Sequence, residues 1–475
     1  MPIPKAAYLA TLPPEWPEDL LPSIQAMVNT AGTKLVVLDD DPTGCQTVHD
    51  VAVYTEWSVT ALTAALHEPD TVAYILTNSR SVPLPAAQAI NREIATHLQA
   101  ASRSVGRDYA VVSRSDSTLR GHYPGETQAL SDALGNPFDA TLIIPFFGEG
   151  GRLTIGDIHY VAEGDSLTPA AETVYAQDAV FGYAHSDLRA WVSEKHGASL
   201  APDDVASLTL DDVRQGGPEA ITAKLLSLPR HTVCIANAAS YRDLEVIVAG
   251  LLAAEARGKR YLYRTAASFV RVRGGIQPRP LLQHGELASG RATTGGVVVV
   301  GSHIPKTTQQ IAAALTLPSL CAVELPVRPI LDPASRSAEI ARSITAIDAA
   351  LESGEDVLVY TSRELVRETP TLDTLEVGQQ VSRVLVAVVR GLHTRPAWLI
   401  TKGGITSSDI ATSGLGVTRA LVLGQAIAGV PIWRTGPESR WPGLTYVVFP
   451  GNVGSDSALA EMIEILRGTA TQGSG

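Results

Sequence analysis

At 475 residues the chain is too long for one ordinary hydrophobic core, so two domains are expected. Its 45% hydrophobic and 18% charged residues describe a globular chain, and a net charge of −12 argues against a nucleic-acid surface. No apolar run approaches the roughly 20 residues that cross a bilayer, and Cys45, Cys234 and Cys321 match neither a disulfide framework nor a zinc pattern.

The opening "MPIPKAAYLATLPPEWPEDLLPS" has prolines and acids where a signal peptide needs an apolar stretch, so a reduced, cytoplasmic, soluble protein is expected. Along the chain, short aliphatic runs alternate with helix-patterned segments. Strands are predicted at 34–38, 51–55, 71–76, 109–112, 141–144 and 232–236, with helices over 85–100 and 241–256. In the second helix Leu244, Ile247, Val248 and Leu251 share one face at helical spacing. Near-continuous Val/Ile/Leu strands separated by helices indicate α/β domains, each a largely parallel sheet flanked by helices. The Gly- and Pro-rich stretch Arg271–Gly296 breaks this rhythm. The expected organisation is a domain over 1–275, a linker over 276–292 and a second domain over 293–475.

Three strand ends in the first half carry dense polar clusters. "LVVLDDDPTGCQTVHD" places Asp39, Asp40 and Asp41 together, suited to holding a metal, abstracting a proton or attacking phosphorus. "YILTNSRSV" adds Asn78, Ser79 and Arg80, and "AVVSRSDSTLRGHYPGE" adds Arg114, Asp116, Ser117, Thr118, Arg120 and His122. Arg grips carboxylates bidentately while Asp, Asn and Ser suit sugar hydroxyls, so the mixture fits a polyhydroxylated acid. Arg80 suits a surface ion pair as well as a ligand, and Asp116 suits a helix cap. The glycine-rich segment over 143–183 is poor in helical pattern and reads as a long loop, with Arg152, Asp157 and His159 as its polar candidates for a lid.

In the second half, strand, small-residue turn and helix recur three times. The turns are Gly301–Ser302, Gly403–Gly404 and Gly451–Gly454, with Thr406, Ser407 and Ser408 as candidate caps, and Ser455 or Asp456 opening the last helix. Glycine admits close backbone approach to a ligand, and a helix start presents free N–H groups, which suits phosphates. Neither GxxxxGK[ST] nor a clean GxGxxG occurs. Lys402, before the double glycine, reads equally as a phosphate ligand or a solvated lysine.

Together "DDDPTG", "TNSR", "SRSDSTLRGHYPGE", "EGGRLTIGDIHYV", "VVGSH", "TKGGITSSD" and "FPGNVGSD" resemble the four-carbon acid sugar kinase family in its long form, nearly end to end. The resemblance implies a sugar-acid-binding N-terminal domain and a nucleotide-binding C-terminal domain. ATP, with Mg2+, would phosphorylate the terminal hydroxyl of a threonate, erythronate or 3-oxo-tetronate type acid. It implies nucleotide contacts at Ser302, Gly403, Gly404, Ile405, Thr406 and Gly451, where Ile405 replaces a Glu of many members. Asp40 and Asp116 are the candidate catalytic residues, and Asp39, Arg80, Ser117 and Arg120 the candidate substrate contacts, with the metal ligands left open. The expected partners are the sugar acid and ATP, with no nucleic acid and no membrane, and a homo-oligomer is left open. Two rival readings are a haloacid dehalogenase-like phosphatase using Asp39 and Asp41, and a non-catalytic sugar-acid-binding protein.

Overall fold

Runs such as "KLVVLD" and "VVVV" have no polar side to turn toward water, and each is buried along its whole length as a strand covered on both faces. The computed structural model describes residues 3–287, 294–302, 304–363 and 374–469. The chain divides into two units, Met1–Pro278 and Arg279–Gly475.

The strands of the first unit are β1 (Ile3–Pro4), β2 (Lys34–Asp39), β3 (Val51–Tyr54), β4 (Val72–Leu76), β5 (Tyr109–Arg114), β6 (Ala140–Ile144), β7 (Arg152–Ile155), β8 (Ile158–Glu163), β9 (Ser166–Pro169), β10 (Ala206–Leu208), β11 (Thr232–Ala236) and β12 (Tyr261–Thr265). Eight of them form a parallel sheet in the order β10-β11-β6-β12-β5-β2-β4-β3. This order sets the C-terminal ends of β12, β5, β2 and β4 side by side. Asp39 lies opposite both Arg114 and Leu76, and Thr265 lies opposite Arg114. On one face Leu62, Ile94, Leu98 and Leu130 pack on Val36, Leu38, Ile75 and Leu262. Each such side chain contributes roughly 1.5–3 kcal/mol when fully buried.

Two helices lie close to expectation. The first spans Leu84–Val105 and stops at Gly106, whose φ of +71° favours glycine, a full turn beyond residue 100. The second spans Tyr241–Glu255 and is capped by Ser240. The segment expected as a long loop is instead regular. Strands β7, β8 and β9 pair antiparallel, with β1 on the far edge. Gly156 and Asp157, with φ of +59° and +66°, make the two-residue turn between β7 and β8. Of the expected linker, residues 284–287 form a short helix, His284–Leu287, and 288–292 lie outside the described residues.

The second unit holds β13 (Val297–Val300), β14 (Leu320–Leu325), β15 (Asp356–Thr361), β16 (Trp398–Lys402), β17 (Arg419–Ile427), β18 (Val430–Thr435) and β19 (Thr445–Phe449). Their order is β17-β18-β19-β16-β13-β15-β14, antiparallel over the first three and parallel from β19 onward. Val300, Lys402 and Phe449 stand in register, so β13, β16 and β19 release their turns at one edge as neighbours. Both units are thus largely parallel sheets flanked by helices.

Candidate active site

The three aspartates at the end of β2 do different things. Asp39 is buried and pairs with Arg114 at 3.1 Å. Burial, together with the charges of Asp40 and Asp41, outweighs Arg114 and pushes its carboxyl up to about 7. Gly44 lies so close that a β-carbon there would meet both Asp39 carboxylate oxygens at 2.1 Å. Asp41 is tied to its own loop, accepting from the Thr43 N–H at 2.9 Å and the Thr43 hydroxyl at 2.6 Å. Burial works against its charge, but Arg80 and Thr43 overcome that and hold it below the usual carboxylate range.

Asp40 faces the cluster of polar groups. Its Oδ1 takes Arg80 at 3.0 Å, and its Oδ2 accepts the Ser115 hydroxyl. Beside it, a β-carbon on Gly121 would sit 2.5 Å from Ser115 Oγ and 3.2 Å from Asp40 Oδ2, so glycine lets the chain pack this close. Arg80 also reaches Asp41 at 3.3 Å and Asp116 at 3.9 Å.

Asp116 caps no helix, since the next one begins at Gly125. It accepts from Thr118 and, at 2.7 Å, from Arg120 Nε. Burial opposes its charge, but Arg120, Arg80 and Thr118 hold it well below the carboxylate range. Arg120 continues to Asp178 at 3.5 Å and stacks over Tyr175. Ser117 is buried, and its carbonyl accepts from His159 Nε2 at 2.8 Å. Burial lowers the His159 imidazole to about 4, so it is neutral at pH 7. His122 is spent on the Val82 carbonyl at 2.9 Å. Asp157 binds Ser207, Asn237 and Arg189.

Three further residues at this edge are not among the candidates named from the sequence. Ser115 sits inside a run of polar residues with nothing to distinguish it. Glu126, bonded by Asn91 at 3.3 Å, opens a helix. Arg264 reads in "YLYRT" as part of a buried strand.

In the second unit the three turns converge on Ser302. A β-carbon on Gly403 would lie 3.7 Å from Ser302 Cβ and 3.5 Å from Thr406 Oγ1, and one on Gly451 would lie 3.8 Å from Ser302 Oγ. Gly403 has φ +110°, a conformation that favours glycine. Thr307 donates to Ser302 Oγ and to the Gly451 carbonyl, both at 3.3 Å, and Arg363 donates to the Ser302 carbonyl at 2.8 Å. Gln310 donates to the carbonyls of Val453 and Ser455 at 3.0 and 2.8 Å. Thr307, Gln310 and Arg363 are likewise silent in the sequence, because they act on backbone groups that only the fold brings near.

Two expectations here are corrected. Thr406, Ser407 and Ser408 lie within the helix Gly404–Asp409 and cap nothing, and the last helix, Ala458–Arg467, begins without a side-chain cap from Ser455 or Asp456. Lys402 is neither solvated nor extended toward open space. It is fully buried over the Phe449 ring, with Nζ donating to the carbonyls of Pro450 at 2.9 Å and Gly451 at 3.3 Å. Burial, with the charge of Lys306, brings its ammonium down to about 7. Ile405 is 56% exposed on the first turn of the helix that begins at Gly404.

Residues 35–273 match the family model described as a sugar-binding N-terminal domain, and 297–459 match the one described as a nucleotide-binding C-terminal domain. A D-threonate kinase of Cupriavidus necator is 28% identical over 409 residues, covering 83% of this chain and 88% of that protein. A D-erythronate kinase of Heliobacterium modesticaldum is 26% identical, covering 76% and 77%. A 3-oxo-tetronate kinase of Methylobacterium radiotolerans is 26% identical, covering 85% and 90%. A Salmonella typhimurium LT2 crystal structure shares the fold with TM-score 0.65 at 18% identity, over 90% of this chain and 98% of that one. A Haemophilus influenzae structure does so with TM-score 0.60 at 19% identity, over 91% and 99%.

Proposed function

The chain belongs to the four-carbon acid sugar kinase family, and from that premise we propose an ATP-dependent kinase that phosphorylates the terminal hydroxyl of a four-carbon sugar acid of the threonate, erythronate or 3-oxo-tetronate type. The observation carrying this reading is Asp40. It is a buried carboxylate at a parallel-sheet edge, fixed by Arg80 and Ser115.

In the proposed reaction the acceptor hydroxyl oxygen attacks the γ-phosphorus of ATP, and its proton passes to Asp40. The bond from γ-phosphorus to the bridging oxygen breaks, and ADP leaves with that electron pair. The acceptor thus becomes a phosphate monoester. Asp116, already bonded by Arg120 and Thr118, is assigned to positioning Arg80 and Arg120 and not to taking the proton. In the second unit, backbone groups at Ser302, Gly403, Gly404, Ile405, Thr406 and Gly451 are assigned to the nucleotide, where small residues let the main chain approach phosphate or ribose.

Magnesium, when bound, would neutralise charge on the triphosphate. Among the described residues no group of three His, Cys, Asp or Glu side chains could hold a metal ion. Among the described residues no helix is long and apolar enough to cross a membrane, and we assign the enzyme to the cytoplasm, where ATP is supplied.

The test is ADP release from ATP with D-threonate, D-erythronate and 3-oxo-tetronate presented separately. Release well above the ATP-only blank with at least one acid is expected. No release with any of them would overturn the reading.

A further inference from the structure

Most charges at the first unit's edge are matched within the protein. Arg114 pairs with Asp39, Arg80 with Asp40 and Asp41, and Arg120 with Asp116 and Asp178. That network sets five acidic side chains against three guanidiniums. Arg80 and Arg120, the arginines expected from sequence to grip the substrate, are both engaged in it.

Arg264 stands apart. It lies one residue before the end of β12, opposite Ser113, and is only 6% exposed. Its NH2 donates to the Arg120 carbonyl at 3.2 Å, and among the described residues no carboxylate forms an ion pair with it. Burial lowers its guanidinium below the ordinary arginine value, although the nearby charges of Asp40, Glu126 and Asp116 act in the other sense. A buried guanidinium with one backbone hydrogen bond has donors left for an anionic ligand.

Gly121 lets Arg264 come close to the proposed base. With φ +122° it carries no side chain, and a β-carbon there would lie 2.5 Å from Ser115 Oγ, 3.2 Å from Asp40 Oδ2 and 3.3 Å from Arg264 NH2. The absence of a side chain here lets the proposed base and the Arg264 guanidinium border the same small region of the sheet edge.

We propose that Arg264 binds the carboxylate of the acid substrate and so selects acids over neutral polyols at this edge. The inference rests on the acceptor-site reading above and deepens it. Arginine offers a planar fork that a carboxylate accepts bidentately, which lysine does not reproduce.

Calorimetry on the full chain with D-threonate, D-erythronate and the neutral amide of each tests this. Wild type should prefer acid over amide. Arg264→Gln should erase that preference, weakening acid binding about 10- to 100-fold as expected for a lost charge-assisted bond, with ATP affinity and melting temperature near wild type. Arg264→Lys should keep part of the preference. An unchanged preference in Arg264→Gln, or parallel loss of acid and amide, would overturn the assignment. If Arg264→Gln does not fold, Arg264→Lys decides: weaker acid binding with unchanged amide binding supports it, and both unchanged refutes it. Acid binding that depends on Arg264 without ADP release would refute the kinase chemistry alone, whereas a wild type that binds no acid would refute both.

Discussion

Arg80 holds Asp40 at 3.0 Å through one carboxylate oxygen while Ser115 donates to the other, so the orientation of Asp40 is fixed before any substrate arrives. Pre-set geometry of this kind favours a general base, because no rotamer must be frozen during the reaction. Asp40→Asn is therefore expected to lower kcat by roughly 10²- to 10⁴-fold and leave the KM for ATP near wild type. Asp116→Asn should instead raise the KM for the acid and destabilise the chain by about 1–3 kcal/mol, since it strands Arg120 and Thr118. Steady-state kinetics and thermal denaturation of both variants separate the roles. The reverse pattern would move the base to Asp116.

Asp39 should carry no phosphate at any stage. Arg114 and the Gly44 backbone enclose its carboxylate, which leaves no line of attack on phosphorus. Rapid acid quench followed by mass spectrometry should find Asp39 unmodified during turnover. An acyl-phosphate there would favour a phosphatase-like mechanism.

The glycines of the second unit differ in a way that makes them separable. A β-carbon at Gly451 would meet only ordinary contacts, the nearest being Ile304 Cδ1 at 3.6 Å. Gly451→Ala should keep its melting temperature, yet weaken ATP binding at least about 10-fold if the main chain there touches the nucleotide. Gly403→Val should lose both ATP affinity and stability, because its φ of +110° strains any branched residue. Acid binding should survive in Gly451→Ala. Unchanged ATP affinity in that variant would remove Gly451 from the nucleotide site.

Lys402 gives a pH signature. Its folded value near 7 is below the 10.5 of a free lysine, so between those values the unfolded chain binds more protons than the folded one. Stability linked to this group therefore increases as pH rises from about 7 toward 10.5, and below about 7 the full cost of the buried charge is present. Thermal denaturation from pH 6 to pH 9 should show wild type gaining stability relative to Lys402→Met. Parallel curves would mean that Lys402 does not titrate in this window.

Buried strands are plain in the sequence because a strand covered on both faces must be apolar throughout, as "KLVVLD" nearly is. Strand ends are less legible. The apolar pattern of β5 stops at Val112, yet Ser113 and Arg114 continue the strand as buried polar residues, and the Asp39 that pairs with Arg114 lies 75 residues away in the chain. Similar distances conceal Arg264 and Lys402, whose partners are backbone carbonyls brought by the fold. The hairpin at Gly156–Asp157 is obscured for another reason. Its turn chemistry is present, but the glycine density around it reads as loop.

The neighbouring turns of β13, β16 and β19 also bear on how the protein comes into being. Val300, Lys402 and Phe449 are adjacent in space but separated by about 150 residues of chain, and β19 is added last. Pairings this distant in sequence close slowly, since loop entropy must be overcome before they reward it. During synthesis, residues 297–402 would have left the ribosome without the strand that completes the cradle around Ser302. On the nucleotide reading, ATP capture is thus a late acquisition of the nascent chain, and ribosome-bound chains halted before Thr445 should fail to be retained by immobilised ATP.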